Sequence, residues 1–272
     1  MYSNRMLMPL TPVVKNLLII NTLIFLAQMT FQHIVPINDL FAQHHFLSKD
    51  FRPHQIITAM FMHGSFGHLF GNMLGLYVFG TKLEMVWGAK RFVTYYLICG
   101  LGAGVIIGLA TLVETYPMIR DINIVLDHTS IENYNMLYTK YDLSEYLTNM
   151  PQLHELINSN SGSADASSLI LDIATKLKEG ITSGTVIGAS GALFGLIIGA
   201  GYLFPNDLVY YGFFIPLKMK WLAIGYAAIE LFAALQNAPG DQVAHVAHLG
   251  GALVGFLILF FSYRRGNRRK LF

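Results

Sequence analysis

Ser190 stands in Gly188-Ala189-Ser190-Gly191, within an apolar run over 185–204 that carries no charge. His248 stands in a second charge-free run, 243–263. Each unpaired polar group in hydrocarbon costs several kcal/mol, so polar side chains inside apolar spans are candidates for function. These two are a nucleophile and a base. A serine hydroxyl is a weak nucleophile until a base takes its proton, which is the service an imidazole supplies.

The elements that must position them are helices in lipid. Charged residues make up 12% of the chain and mean hydropathy is +0.48, against about 25% charged residues in a soluble domain. That balance excludes a single water-facing globule and points to an all-α membrane protein. Six spans are expected, over 16–34, 68–86, 92–113, 185–204, 221–238 and 243–263. Most approach the ~20 residues that cross a hydrocarbon core about 30 Å thick. The fifth is the shortest clean stretch and holds Glu230.

Charge orients the bundle. With the N-terminus inside, the inner loops hold Arg5, Lys15, Lys82, Lys90, Arg91, Lys218 and Lys220, and the tail 264–272 adds Arg264, Arg265, Arg268, Arg269 and Lys270. Twelve of the eighteen basic residues then lie inside, as the positive-inside rule requires, and the C-terminus is inside as well. The segment 114–181 has four basic residues against ten acidic ones and suits the outer side. The first span is long, has no convincing small-residue cleavage site after it, and is expected to stay in the mature protein. Cys99, the single cysteine, excludes an internal disulfide.

Read as a continuous helix, the fourth span places Ser190 fifteen residues above Pro205, and the sixth places His248 fifteen above Tyr263. Both then lie about 22 Å above the inner helix ends, just below the outer surface. For the imidazole to reach the hydroxyl, the two helices must approach almost backbone to backbone. Gly188, Gly191, Gly195 and Gly199 on one, with Gly251 and Gly255 on the other, form the small-residue seams that allow it.

At this point the chain resembles the rhomboid family of intramembrane serine proteases. Gly188-Ala189-Ser190-Gly191 matches the family's Gly-x-Ser-Gly, and the stretch from Ala247-His248 through Gly251 to Gly255 matches its Ala-His-x-x-Gly-x-x-x-Gly. His63, His68 and Asn72 fit its His-x4-His-x3-Asn, Phe51-Arg52 looks like the Trp-Arg pair of its first outer loop, and Glu84 followed by Gly88 resembles its acidic residue near the inner end of the second helix. The resemblance covers 16–113 and 185–263 and leaves 114–181 outside it.

The resemblance implies a six-helix bundle divided into core 1–113, outer insertion 114–181, core 182–263 and basic tail 264–272, in the inner membrane of a bacterium. It implies acyl transfer by a dyad, Ser190 attacking a peptide carbonyl and His248 moving the proton, with no metal and no cofactor. Neither dyad helix holds an Asp or Glu, so no carboxylate is expected as a third member, and the family's aromatic ring one turn below the serine falls on Phe194, where tyrosine is more usual. His68 and Asn72, four residues apart and therefore on one helical face, would join the Ser190 N–H in the oxyanion hole. Gly188, Gly251, Gly255, Arg52 and His63 would support the site. The partners implied are transmembrane protein substrates, locally unwound, and the lipid bilayer, with no nucleic acid.

Three other readings compete. A His-rich membrane metalloprotein would use the ten histidines, but His-Glu-x-x-His is lacking, and Glu84 and Glu230 are not expected to accompany the histidines as ligands. A non-catalytic relative that binds membrane helices typically loses the serine or the histidine, and both stand here. A transporter would show an inverted repeat, and none is evident. His245 reads as a satisfied hydrogen-bonding residue and Glu230 as protonated or bonded to a neighbouring helix. The insertion is expected to be a small structured unit, a regulatory cap or a loop that influences how substrates reach Ser190 without contributing to bond cleavage. Within it, 158–168 reads as linker and 169–177 has helical spacing.

Overall fold

The computed structural model describes residues 9–144, 159, 164–211, 215–236 and 244–264. The basic residues Arg5, Arg265, Arg268, Arg269 and Lys270, and part of the expected linker 158–168, lie outside the described residues.

Helix α1 covers Pro12–Phe31 and begins with proline in its first turn, where a missing N–H costs nothing. Short helical turns follow at Ile37–Phe41 and Gln55–Thr58. Helix α2, Phe66–Gly75, starts at Ser65, whose Oγ accepts from the His68 backbone N–H at 3.1 Å. It passes through a π-helical segment, Leu76–Gly80, into α3, Thr81–Trp87, which ends at Gly88 with φ +77°. The expected second span is therefore three consecutive pieces, α-helical, π-helical and α-helical again. Helix α4 runs over Ala89–Asp127 with Pro117 inside it, so the expected boundary at residue 114 falls within a helix. Then come α5, Ile131–Lys140, and α6, Ala164–Thr182. Helix α7 covers Ser190–Leu203, α8 Met219–Gln236 and α9 His245–Arg264. Between α7 and α8 an antiparallel hairpin pairs β1, Leu208–Tyr211, with β2, Ile215–Lys218, in the register Leu208 to Lys218.

Among the described residues, three helices are long and apolar enough to cross a membrane, Pro12–Phe31, Ala89–Asp127 and His245–Ser262, and Ser190–Leu203 is a shorter apolar helix. One expectation is corrected here: the run 185–204 is not helical throughout. Gly188 has φ +130°, and helix geometry starts only at Ser190.

The chain divides into two compact units. The first comprises Met1–Gln43, Asp50–Gly108 and Thr185–Phe272, the second His44–Lys49 and Leu109–Gly184. The first is centred on Leu76, Leu83, Phe92, Tyr95, Tyr96 and Leu196, none more than 2% exposed. At its base, Glu84 is buried and accepts from Thr11 Oγ1 at 2.5 Å, Val13 N at 3.0 Å and Val14 N at 2.9 Å. The carboxylate thus satisfies the otherwise unpaired first amides of α1 and faces the positive end of its dipole. That gives Glu84 a structural role. The second unit has its own core of Ile122, Val125, Tyr134, Leu137, Ile170, Ile173 and Leu177.

Candidate active site

Ser190 is the first residue of α7. Its N–H belongs to the opening turn of a helix, where amides have no intrahelical acceptor. The turn before it depends on Gly188. The left-handed backbone there disfavours any side chain, and a Cβ would lie 2.8 Å from both Cε1 and Nε2 of His68. The Gly188 N–H donates to the Ala59 carbonyl at 2.9 Å, which ties the turn to the 3₁₀ turn Ala59–Phe61 ahead of α2.

His248 comes from the second turn of α9. Its Nε2 lies 2.8 Å from Ser190 Oγ, hydrogen-bonding distance for proton transfer. The close crossing that this requires is built from glycine. A Cβ on Gly251 would sit 1.8 Å from the Gly191 carbonyl oxygen, and one on Gly255 would sit 3.0 Å from Gly195 Cα and 2.5 Å from Tyr95 Oη. The two backbones touch, and no larger residue fits the seam. Tyr95 closes its lower end by donating from Oη to the Gly195 carbonyl at 2.8 Å, a contact that the motifs do not reveal.

Phe194, one turn along α7 from Ser190, stacks on the His248 ring with centroids 4.3 Å apart and planes 9° from parallel. Tyr226 of α8 meets Phe194 edge-on at 5.9 Å. The imidazole is thereby held against rotation by an aromatic face, without a hydroxyl at position 194.

The absence of a nearby carboxylate, expected from the two helices that carry Ser190 and His248, is overturned. Glu230 of α8, 8% exposed, places Oε2 2.9 Å from His248 Nδ1 and 2.6 Å from His245 Nδ1. The His245 contact is a hydrogen bond. The His248 contact is at ion-pair distance but off the hydrogen-bond axis, and Nδ1 is buried without another hydrogen-bond partner. The expectation that Glu230 does not accompany the histidines is likewise corrected: the donor atoms of Glu230, His245 and His248 lie within 4.8 Å of one another. The signal was present in the sequence, since an ionisable residue in an apolar helix is a functional candidate. Its partners were not, because α8 and α9 meet only in three dimensions.

His68 and Asn72 both lie on α2, with the His68 ring against Gly188. Asn72 is 5% exposed, and its Nδ2 donor is buried with no hydrogen-bond partner among the described residues. A buried amide left unmatched costs about 1–3 kcal/mol. His63 is buried, its ring edge-on to His68 at 5.1 Å, and its backbone is clamped by the Gln28 side chain, which accepts from His63 N at 3.1 Å and donates to His63 O at 3.4 Å. Arg52 makes local loop contacts: its N–H donates to Gln55 Oε1 at 2.9 Å and its Nη1 to the Phe51 carbonyl at 2.8 Å. A cleft beside Ser190 is lined mainly by apolar residues, among them Met60, Gly100, Ala103, Ile187, Ala244 and Ala247.

The Rhomboid domain family model matches residues 50–118 and 162–265. The RHOMBOID-like protein 12, mitochondrial, of Arabidopsis thaliana is 25% identical over 221 residues, 81% of this chain and 49% of the plant protein. The Rhomboid protein 1, mitochondrial, of Saccharomyces cerevisiae is 26% identical over 213 residues, 78% of this chain and 43% of the yeast protein. The Rhomboid-like protein 11, chloroplastic, of Arabidopsis thaliana is 33% identical over 90 residues, 33% of this chain and 30% of that protein. The chain spans less than half the length of these curated relatives. Their names are organellar, and they lend no support to the bacterial inner membrane expected from the sequence. With a family domain matched over more than half of its residues, and helices long and apolar enough to cross a bilayer, the chain is an integral membrane protein that belongs to the rhomboid family.

Proposed function

We propose that the chain is an intramembrane serine endopeptidase that cuts transmembrane-helix substrates near the outer membrane face. The observation that carries the reading is the 2.8 Å contact between His248 Nε2 and Ser190 Oγ, beneath a ring stacked on Phe194. The topology proposed with it has six spans and both termini inside, with core 1–113, outer insertion 114–181, core 182–263 and basic tail 264–272.

The steps follow from the geometry. His248 Nε2 accepts the Ser190 proton as Oγ bonds to the peptide carbonyl carbon. Negative charge gathers on the carbonyl oxygen, where the Ser190 N–H at the helix start and the unmatched Asn72 Nδ2 are the donors, with the His68 side chain on the same helix. His248 returns the proton to the leaving amine as the C–N bond breaks. Water, deprotonated by the same imidazole, then attacks the acyl carbon, and the proton passes from His248 to Ser190 Oγ as the acyl–oxygen bond breaks. The substrate must unwind first, since its carbonyls are bonded within its own helix. Gly188, Gly251, Gly255, Arg52 and His63 hold the surrounding backbone and loop.

The test is purified protein in detergent, incubated with a labelled transmembrane-helix substrate and, separately, with a fluorophosphonate probe. Ser190→Ala and His248→Ala are expected to abolish cleavage and labelling with little change in melting temperature. Asn72→Ala is expected to lower kcat by about 10²–10³ with KM nearly unchanged, because an oxyanion donor acts on the transition state. Cleavage by the Ser190→Ala protein, or inhibition by a chelator in place of a serine-directed reagent, defeats the reading.

A further inference from the structure

A dyad leaves one question open at this site: what holds the far nitrogen of the His248 ring. For Nε2 to accept the Ser190 proton it must present a lone pair, which obliges the neutral imidazole to carry its hydrogen on Nδ1. That nitrogen is buried and has no hydrogen-bond partner among the described residues. A carboxylate oxygen of Glu230 lies 2.9 Å away.

We propose that Glu230 is a positioning carboxylate for His248, so that Ser190, His248 and Glu230 act as a triad assembled from three helices, with His245 anchoring the acid. The proposal rests on the Ser190–His248 reading and extends it. The contact already stands at 2.9 Å, and catalytic hydrogen bonds are commonly loose before substrate binds. The acid then selects the productive tautomer and stabilises the imidazolium that forms when Ser190 attacks. No additional proton moves, and Glu230 remains ionised throughout.

The surroundings suit that role. A lone ionised carboxylate is too costly to bury. Glu230 Oε2 is hydrogen-bonded to His245 Nδ1 at 2.6 Å and lies 2.9 Å from His248 Nδ1. His245, one turn before His248 on α9, thus binds the acid from the same helix that presents the base. Phe194 fixes the plane of the imidazole and Glu230 the direction of its nitrogens, which are independent constraints.

The same three residues could cage a divalent cation, yet the distances favour hydrogen bonding. Ligands placed about 2.0–2.1 Å from a tetrahedral zinc lie about 3.3 Å from each other, whereas the His–Glu contacts here are 2.6 and 2.9 Å.

The experiment is the rate at which a fluorophosphonate modifies Ser190 in the full chain in detergent, resolved into kinact and KI. Glu230→Gln is expected to lower kinact on the order of 10²-fold or more while KI and melting temperature hold, because the amide cannot stabilise the imidazolium. Glu230→Asp, which keeps the charge on a shorter stem, recovers part of the loss, and formate added to Glu230→Ala recovers part of its loss. His245→Ala lowers kinact less than either. If Glu230→Ala does not fold, Glu230→Gln, which preserves volume and one acceptor oxygen, carries the test. Wild-type kinact in the Glu230 variants, with Ser190→Ala unlabelled, overturns this proposal and leaves the dyad standing. Labelling that survives Ser190→Ala instead removes the reading beneath it. A wild-type protein that purifies with a stoichiometric divalent ion, and whose kinact rises on chelation, makes the cluster an inhibitory cation site and also overturns the proposal.

Discussion

The two units of this chain bring their helices together in different ways. The unit that holds Ser190 has an apolar core of its own but joins α7 to α9 through glycine backbones, Gly191 against Gly251 and Gly195 against Gly255. The unit from Leu109 to Gly184 packs large side chains, Ile122, Tyr134, Leu137 and Ile170, around an apolar centre. It sets its charges in clusters such as Asp121 with Arg120, Lys140 and Tyr141. Apolar burial drives association in water, but hydrocarbon is as apolar as leucine. Helices in lipid therefore gain from close backbone contact and hydrogen bonding instead. Close backbones are what bring the Ser190 hydroxyl and the His248 ring within 2.8 Å of each other from separate helices.

The most severe test of that contrast is at the seam. Gly251→Val places new atoms where even a Cβ would lie 1.8 Å from the Gly191 carbonyl. It is expected to leave no folded, probe-reactive protein by thermal melting and fluorophosphonate labelling. Gly225→Ala is the control, since nothing lies within 4 Å of its added Cβ, and it should melt at or slightly above wild type. A tolerated Gly251→Val refutes backbone contact as the basis of the site.

The second unit should fail by the ordinary rule for apolar cores. Ile170→Ala, at a side chain 1% exposed, is expected to cost about 2–5 kcal/mol. Hydrogen exchange should rise across 109–184, while Ser190 remains open to the fluorophosphonate. Loss of labelling would tie the two units together more tightly than their separate cores imply.

Smaller effects probe the polar contacts of the first unit. Glu84→Ala strands two amides of α1, and a loss of about 1–3 kcal/mol is expected, read as a lower melting temperature with faster exchange at Val13 and Val14.

The mildest effect is one of pH. Burial, and then the neighbouring His68 ring, pushes the His63 imidazole down to about 4 from 6.5. The unfolded chain therefore binds a proton that the folded chain refuses between those values, so stability is full above about 6.5 and declines as pH falls toward 4. His63→Phe should flatten the melting temperature over that interval. An unchanged slope assigns the acid sensitivity to other groups.

Ser190, His248 and the glycine seams stand out in the sequence itself, while the ring at Phe194 was placed only by the resemblance to the family. Lipid permits few polar residues and few large ones at a close crossing, so those that occur are conspicuous, and the helical period sets which of them share a face. The start of α7 was not legible. An apolar run of twenty residues reads as one helix until the backbone at Gly188 turns left-handed, and that turn is what exposes the Ser190 amide. Nor were the partners of Glu230. The sequence marks it as an anomalous carboxylate in an apolar helix, but hydrophobic periodicity carries no information about which helix faces which. Only the packing of α8 against α9 set that acid beside both histidines, because contacts between helices depend on where their axes cross, and no single segment encodes that.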